Sequence, residues 1–152
     1  MPQCETKYFG TVSYETGAAV EFAAGLPGFE SCRRFLPIEE AARRPLIFLQ
    51  SLEQPGLCFV TLPVAAIEPG YQLKIGAEDA AAVGLDPQRE LPVDVVCLVV
   101  MSIADAGTPT VNLLAPIVIN PRTGRAVQSV RDDSVYPCRR PLGGSAEAAP
   151  CS

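Results

Sequence analysis

Histidine is absent from this sequence, and no two of its six cysteines form a CxxC pair. Without histidine there is no Ser-His-Asp or Cys-His centre and no imidazole general base. Zinc sites that lack histidine need closely spaced cysteine pairs, so no metal site is expected. The phosphate-loop motif G-x-x-x-x-G-K-[ST] and the dinucleotide motif G-x-G-x-x-G are also missing. We therefore predict a binding protein rather than an enzyme, with no catalytic residue, no metal and no cofactor.

Carboxylates are the one class of catalytic group that these absences leave open, because acids distant in sequence can meet in a fold. The acids do not follow the alternating pattern of a calcium-binding loop. Asp132 and Asp133 form the only adjacent pair of aspartates, which we interpret as a solvated turn. A carboxylate enzyme remains an alternative that two facing acids in a cleft, with raised pKa values, would favour.

Positive charge is scarce. The chain has 12 Lys and Arg against 17 Asp and Glu, a net charge of −5, and its only lysines are Lys7 and Lys74. A weakly acidic surface disfavours binding to a phosphate backbone and leaves a basic protein partner open. Single-strand RNA platforms interleave aromatic with basic residues, whereas Phe48 and Phe59 lie in apolar segments and Phe29 lies beside an acid. We therefore predict no direct nucleic-acid binding, which a gel shift would test.

Long apolar runs are missing as well. The longest, residues 95–101, suits a buried strand, and none reaches the roughly 18 to 20 residues that a membrane span requires. The first residues carry an acid and no apolar stretch typical of a signal peptide. We therefore predict a cytoplasmic protein with no membrane segment. In that compartment Cys58 and Cys97, which lie inside apolar runs, are interpreted as small buried hydrophobes.

Turn signals are abundant, since 15 prolines and 12 glycines divide the chain into short segments. This pattern favours β-structure over long helices and predicts strands at residues 6–14, 19–22, 34–38, 45–52, 57–62, 91–101, 110–119 and 126–130. A hairpin turn is expected at residues 15–17 and a tight reversal at residues 25–28. One short helix is expected at residues 78–83, with acids in its first turn and Gly84 at its end.

The fold class predicted from these elements is mostly β, a small antiparallel β-barrel-like single domain with one short helix. The domain should span residues 1–142, and the small residues of 143–152 should form a flexible C-terminal tail. Pro116 cannot donate to a ladder, so strand 110–119 should bulge or lie at a sheet edge there. An open edge near Asn112 and Pro116 would let an extended partner segment add to the sheet.

Four segments stand out together: residues 22–30 (FAAGLPGFE), 48–52 (FLQSL), 110–120 (TVNLLAPIVIN) and 128–136. In this order and spacing they resemble the FliW family of flagellar assembly factors, and the third segment is the most specific. The resemblance covers roughly residues 8–142. The chain departs from the family pattern at Leu62, where the family usually has a polar residue before the proline, and residues 71–92 match loosely.

The resemblance implies a small β-barrel-like fold and two protein partners. Proteins similar to FliW bind newly made flagellin in the cytoplasm, and they also bind the RNA-binding regulator CsrA. When flagellin is exported, the freed protein takes up CsrA and relieves its block on flagellin translation. The chain would thus couple flagellin export to flagellin translation by protein-protein binding alone, and we expect a monomer when no partner is bound.

The same segments supply six candidate partner-binding residues: Phe29, Asn112, Leu113, Pro116, Gln128 and Tyr136. An aromatic such as Phe29, directly after a tight turn, is either a core plug or an exposed anchor. Asn112 is either a buried amide that fixes a bulge or a polar contact at an exposed edge, and Gln128 and Tyr136 pose the same choice.

Two non-catalytic alternatives remain beside this interpretation. A small β-barrel can bind an apolar ligand, which an apolar cavity of a few hundred cubic ångströms would favour. The chain could also act as a general chaperone rather than as a partner of one export substrate.

Overall fold

The computed structural model describes residues 1–86, 88–89, 91–103 and 107–142. The described residues form one α-helix, α1 (Ala77–Ala82), and the strands β1 (Gln3–Thr6), β2 (Gly10–Ser13), β3 (Val20–Phe22), β4 (Arg34–Glu39), β5 (Ile47–Ser51), β6 (Cys58–Pro63), β7 (Val96–Ser102), β8 (Thr110–Val111), β9 (Ile117–Asn120), β10 (Arg125–Gln128) and β11 (Arg140–Pro141). The predicted mostly-β fold is confirmed. In this part of the chain no helix is long and apolar enough to cross a bilayer. The predicted flexible tail, residues 143–152, lies outside the described residues.

Seven of the strands close into a barrel. Their order around the barrel is β3, β4, β5, β6, β7, β9 and β10, and β10 pairs back with β3. Neighbouring strands are antiparallel, as predicted, except that β3 and β10 run parallel. Closure pairs each of these strands on both sides, which removes the free edges of an open sheet.

Alternate residues of the barrel strands point inward, as the pleat requires. The strand register places Leu49 opposite Phe59 and Leu98 opposite Ile117. The interior is filled by one buried cluster: Val20, Phe22, Leu26, Cys32, Phe35, Leu49, Leu98, Ile117, Ile119 and Ala126. The barrel interior is therefore packed with side chains.

The N-terminal prediction was wrong in topology. The single strand expected at residues 6–14 is instead two short strands, β1 and β2, which pair with each other and not with β3. The chain reverses at residues 7–9 and enters β2 at Gly10, whose φ of 67° favours glycine. The turn expected at residues 15–17 is a single 3₁₀ turn, Thr16–Ala18, that leads into β3 rather than closing a hairpin.

The remaining barrel strands follow the sequence pattern closely. The strands predicted at 19–22, 34–38, 45–52, 57–62 and 126–130 are confirmed to within two residues at either end. The strand predicted at 91–101 is shorter, because β7 begins only at Val96. The reversal at residues 25–28 is also confirmed, with Gly25 at a φ of 69° and Gly28 at 86°.

The predicted strand 110–119 is broken rather than bulged. It consists of β8 and β9, separated by a turn in which the Asn112 side chain oxygen accepts hydrogen bonds from the backbone N–H groups of Leu114 and Ala115, at 3.0 and 3.1 Å. The predicted open edge near Pro116 does not exist. Strand β9 lies between β7 and β10, and β8 lies between β7 and β11. Strands β8 and β9, which flank Pro116 in sequence, are therefore paired on both sides and leave no edge at which another strand could add.

Helix α1 closes one side of the barrel. It matches the predicted helix to within one residue, and Gly84 follows it at a φ of 78°. Ala80 and Val83 are fully buried against Val118 on the outer face of β9. The Asn120 amide donates to the Val83 carbonyl at 2.9 Å, which satisfies an orphan carbonyl at the helix end.

Candidate partner-binding surface

One end of the barrel opens into a groove of about 600 Å³ whose lining combines apolar surface with hydroxyl, amide and guanidinium groups. We call it the polar groove, and it is lined by Val100, Ser102, Ile103, Thr110, Asn112, Gln128, Cys138 and Arg139. Strands β7, β8 and β10 supply half of these residues, and the segments that follow β7 and β8 and precede β11 supply the rest. The groove brings together Asn112 and Gln128, two of the six candidates, although they are distant in sequence. Ile103 adds an exposed apolar side chain, 69% accessible, at its rim.

The two amide side chains of the polar groove each use one atom for structure. Asn112 caps the turn after β8 through its oxygen, and the Gln128 Nε2 donates to the Ala115 carbonyl at 3.1 Å. Within the described residues, the Asn112 Nδ2 and the Gln128 Oε1 make no hydrogen bond. Both residues therefore fix the turn between β8 and β9 and still offer a donor and an acceptor to a partner.

Phe29 lies at the same end of the barrel as the polar groove. Its ring packs edge-to-face on Phe59 at 5.4 Å between centroids. Phe59 precedes Thr61 by two residues, and Thr61 pairs with Val100, so Phe59 lies at the level of Ser102. Phe29 is 39% exposed. It is thus both a plug and an exposed surface, because one part of the ring covers the core and the rest faces solvent.

Leu113 and Pro116 contribute no surface to the groove. Leu113 is fully buried, its N–H donates to the Pro137 carbonyl at 3.0 Å, and its own carbonyl accepts from the Tyr71 hydroxyl at 2.7 Å. Pro116 is buried, and its carbonyl accepts from the Ser129 N–H at 2.9 Å. Both residues shape the turn that carries Asn112, and a partner would not touch their side chains in this conformation.

Tyr136 belongs to a different cluster, which we call the Arg131 clasp: Tyr71, Arg131, Asp133 and Tyr136. The Arg131 side chain is only 5% exposed. It donates to both carboxylate oxygens of Asp133, at 2.9 and 3.0 Å, and to the Gln72 carbonyl at 2.5 Å. Its guanidinium lies over both tyrosine rings, which are 4.4 Å apart between centroids. The clasp fastens the C-terminal segment onto residues 68–74.

Electrostatics in the clasp favour the charged forms of both partners. Hydrogen bonds from Arg131 hold the pKa of Asp133 below its ordinary value, and the same carboxylate raises the pKa of Arg131. The solvated-turn interpretation of the aspartate pair is therefore right for Asp132, whose side chain is 80% exposed, and wrong for Asp133. A lowered pKa is also the opposite of what a carboxylate general acid needs.

Sequence reasoning missed Arg131 and Tyr71. Arg131 stands in a polar run between Val130 and Asp132, a context that is typical of a solvated loop. The only signal was the spacing of an arginine, an acid two residues later and an aromatic five residues later. That spacing shows that an ion pair is possible, but it does not reveal that residues 68–74 cover it.

Cys58 and Cys97 are half-buried, rather than buried as predicted. Burial raises the pKa of Cys58 to about 11 and that of Cys97 to about 12. Both thiols are therefore protonated near neutral pH and are weak nucleophiles. Cys4 and Cys32 are likewise free and buried. The raised pKa values of Cys58 and Cys97 agree with the interpretation of unreactive thiols, although the two side chains are only partly buried.

Comparison with known proteins now decides the family. A family model described as FliW protein matches residues 3–142. The chain belongs to the FliW family of flagellar assembly factors. The flagellar assembly factor FliW of Anoxybacillus flavithermus is 35% identical over 141 residues, which cover 91% of this chain and 92% of the relative. FliW of Syntrophotalea carbinolica is 33% identical over 134 residues, which cover 88% and 93%.

A solved FliW structure has the same fold. The crystal structure of the flagellar assembly factor FliW matches with a TM-score of 0.81 and 27% sequence identity, covering 94% of this chain and 98% of that chain. The resemblance seen in the four sequence segments is thereby confirmed. The FliW match includes the polar groove and the Arg131 clasp, which lie within residues 71–139.

Proposed function

We propose that this chain binds flagellin in the cytoplasm and antagonises CsrA by protein-protein binding, without catalysis. In this role, export of flagellin frees the protein to take up CsrA and so permits flagellin translation. The observation that carries the proposal is the family match over residues 3–142, which includes every candidate partner-binding residue.

The polar groove is the surface best suited to a protein partner. It combines exposed apolar area from Ile103, together with Phe29 at the same end of the barrel, with the uncommitted amide atoms of Asn112 and Gln128. Apolar anchors surrounded by hydrogen-bonding groups are the usual anatomy of a specific interface. The seven strands of the closed barrel have no free edge, so a partner would contact them through side chains rather than as an added strand.

The acidic balance of the chain supports CsrA as the second partner. An RNA-binding regulator presents a basic face, and a net charge of −5 attracts such a face at long range. If this attraction steers association, raising the salt concentration should slow the association rate much more than it changes the dissociation rate. An association rate that is insensitive to salt would remove the electrostatic part of the proposal.

The test is co-purification of the chain with flagellin and, separately, with CsrA. Ile103→Asp, in the polar groove, should weaken flagellin binding at least about tenfold, because it places a charge in an apolar contact. The matched control is Val93→Asp, which alters a fully exposed valine outside the groove and should bind normally. If wild-type protein binds neither partner at micromolar concentration, the proposed function is wrong even though the family membership stands.

A further inference from the structure

The end of the barrel remote from the polar groove carries two adjoining depressions. One is a basic groove of about 550 Å³, which we call the arginine groove, lined by Glu21, Arg34, Arg122 and Arg125 and by the loop Pro121–Gly124. The other is a mainly apolar mouth of about 390 Å³, lined by Val20, Pro37, Ile47, Val96, Leu98 and Ile119 together with one acid, Glu39. The two share Gly17, Ala19, Val20, Pro121 and Gly124, so they are continuous.

Strand register aligns three charged side chains in the arginine groove. Glu21 of β3 pairs with Arg34 of β4 on one side and with Arg125 of β10 on the other. The residues next to them, Phe35 and Ala126, are buried in the core. Because side chains alternate along a strand, Glu21, Arg34 and Arg125 all face outward. Two arginines therefore flank one glutamate across three neighbouring strands.

Part of the positive charge of this groove is uncompensated. Arg122 pairs with Asp94 at 3.2 Å, but within the described residues the guanidinium groups of Arg34 and Arg125 make no hydrogen bond or ion pair. With Arg122 neutralised by Asp94, the unpaired Arg34 and Arg125 against Glu21 leave one net positive charge in the groove, on a chain whose net charge is −5. Such a local reversal of sign marks a site for an anionic group.

We propose that these two depressions form one docking site for a peptide segment of a partner protein, in which a carboxylate side chain lies next to an apolar one. The carboxylate would bind Arg34 and Arg125, and the apolar side chain would enter the mouth beside Val96 and Ile119. A free phosphate or similar anion would leave the apolar mouth unused.

Nucleic acid fits this surface less well than a peptide does. The apolar mouth is lined by aliphatic side chains and offers no aromatic ring on which a base could stack. The acidic chain also repels a polyanion at longer range, whereas a short acidic segment adds little repulsion. The site goes beyond the proposed function, because it uses neither the polar groove nor any of the six candidate residues.

The test uses the full chain and blocked synthetic peptides in place of the unknown partner. The probe is acetyl-Gly-Ser-Asp-Leu-Glu-Ser-Gly-amide, and its matched peptides replace the two acids by Asn and Gln or the Leu by Gly. Binding is followed by amide chemical shifts of the protein. We expect saturable shifts at Glu21, Arg34, Gly124 and Arg125, and roughly tenfold weaker binding for the Asn/Gln peptide and for the double variant Arg34→Ala/Arg125→Ala.

Matched variants distinguish binding in the arginine groove from nonspecific charge attraction. Arg89→Ala removes an exposed arginine elsewhere and should leave peptide binding unchanged. Arg34→Lys/Arg125→Lys keeps the charge and should restore most of the binding. The proposal is overturned if millimolar peptide gives no saturable shift, or if the double alanine variant binds the peptide as wild type does. It is also overturned if the Leu-to-Gly peptide and inorganic phosphate bind the same residues equally well, or if a single-stranded RNA oligonucleotide binds them more tightly than the peptide.

Discussion

The barrel wall and the Arg131 clasp hold different parts of the chain by different forces. The barrel is stabilised by buried apolar side chains such as Phe35 and Leu49, which are completely inaccessible to solvent. The clasp fastens the C-terminal segment through one buried guanidinium, a bidentate carboxylate and two tyrosine rings. Hydrophobic burial does not depend on direction or protonation, whereas the clasp depends on both. The two regions should therefore respond differently to mutation and to pH.

The largest effect is expected in the barrel. Leu49→Ala removes a fully buried side chain and should lower the free energy of unfolding by about 3 to 5 kcal/mol, because it also leaves a cavity. Val93→Ala, at a fully exposed position, is the control and should change it by less than about 0.5 kcal/mol. Denaturant titration measures both. If the two variants were equally stable, the interior would not be the main source of stability.

The clasp should yield a smaller loss. Arg131→Met should lower the free energy of unfolding by roughly 2 to 3 kcal/mol, since it leaves the Asp133 carboxylate and the Gln72 carbonyl without their hydrogen-bond donor. Arg131→Lys keeps the charge but loses the bidentate geometry, so it should recover only part of the loss. Amide exchange should rise in residues 68–74 and not in the barrel strands. Equal exchange in both regions would show that the clasp is not a separate unit.

Two glycines of one loop test how tightly the barrel end is built. A Cβ at Gly25 would meet the Glu30 backbone at 2.5 Å, whereas a Cβ at Gly28 would meet open space, although both residues have positive φ. Gly28→Ala should cost about 1 kcal/mol from its conformation alone, and Gly25→Ala at least about 2 kcal/mol. Similar losses, measured by thermal or denaturant unfolding, would show that the loop relaxes around the added methyl group.

The response to pH should distinguish the clasp most cleanly from the barrel, although the effect is the smallest of the four. Since Arg131 lowers the pKa of Asp133 in the folded state, the clasp contributes its full stability when the pH is above the unfolded pKa of about 4. That stability is lost as the pH falls through the lower folded pKa. The stability advantage of wild type over Asp133→Asn should therefore be constant near neutral pH and shrink in acid.

Asp132→Asn is the matched control for this experiment, because its carboxylate is 80% exposed and forms one ion pair within the described residues, with Lys74. Its stability difference from wild type should be small and nearly flat with pH. A pH-independent difference for Asp133→Asn would contradict the assignment of the carboxylate to the clasp.

Much of the barrel could be predicted from the sequence because inward-facing and outward-facing residues alternate along each strand. Alternating apolar residues mark the inward face of a strand, and this pattern located β3 to β6 within two residues at each end. It failed at residues 6–14, where a tight turn at residues 7–9, followed by Gly10 with positive φ, reverses the chain inside the predicted strand. It failed again at Pro116, since a missing N–H is equally compatible with an edge, a bulge or a complete break between two strands.

The candidate site could be predicted only in part. The sequence indicated Asn112 and Gln128, which the fold brings into one groove, and Phe29 at the same end. It also indicated Leu113 and Pro116, which are buried, because apolar residues inside a distinctive motif do not reveal which way they face. The arginine groove could not be predicted from the sequence. Its charged residues come from β3, β4 and the β9–β10 hairpin, and barrel closure brings them together.

The central claim is that a flagellar partner docks on the polar groove, and hydrogen–deuterium exchange of the chain with and without purified flagellin tests it most directly. The account predicts protection on binding at residues 100–103, 110–112 and 128, with little change around the arginine groove. Protection confined to other surfaces, or no protection under conditions where the two proteins co-purify, would contradict it.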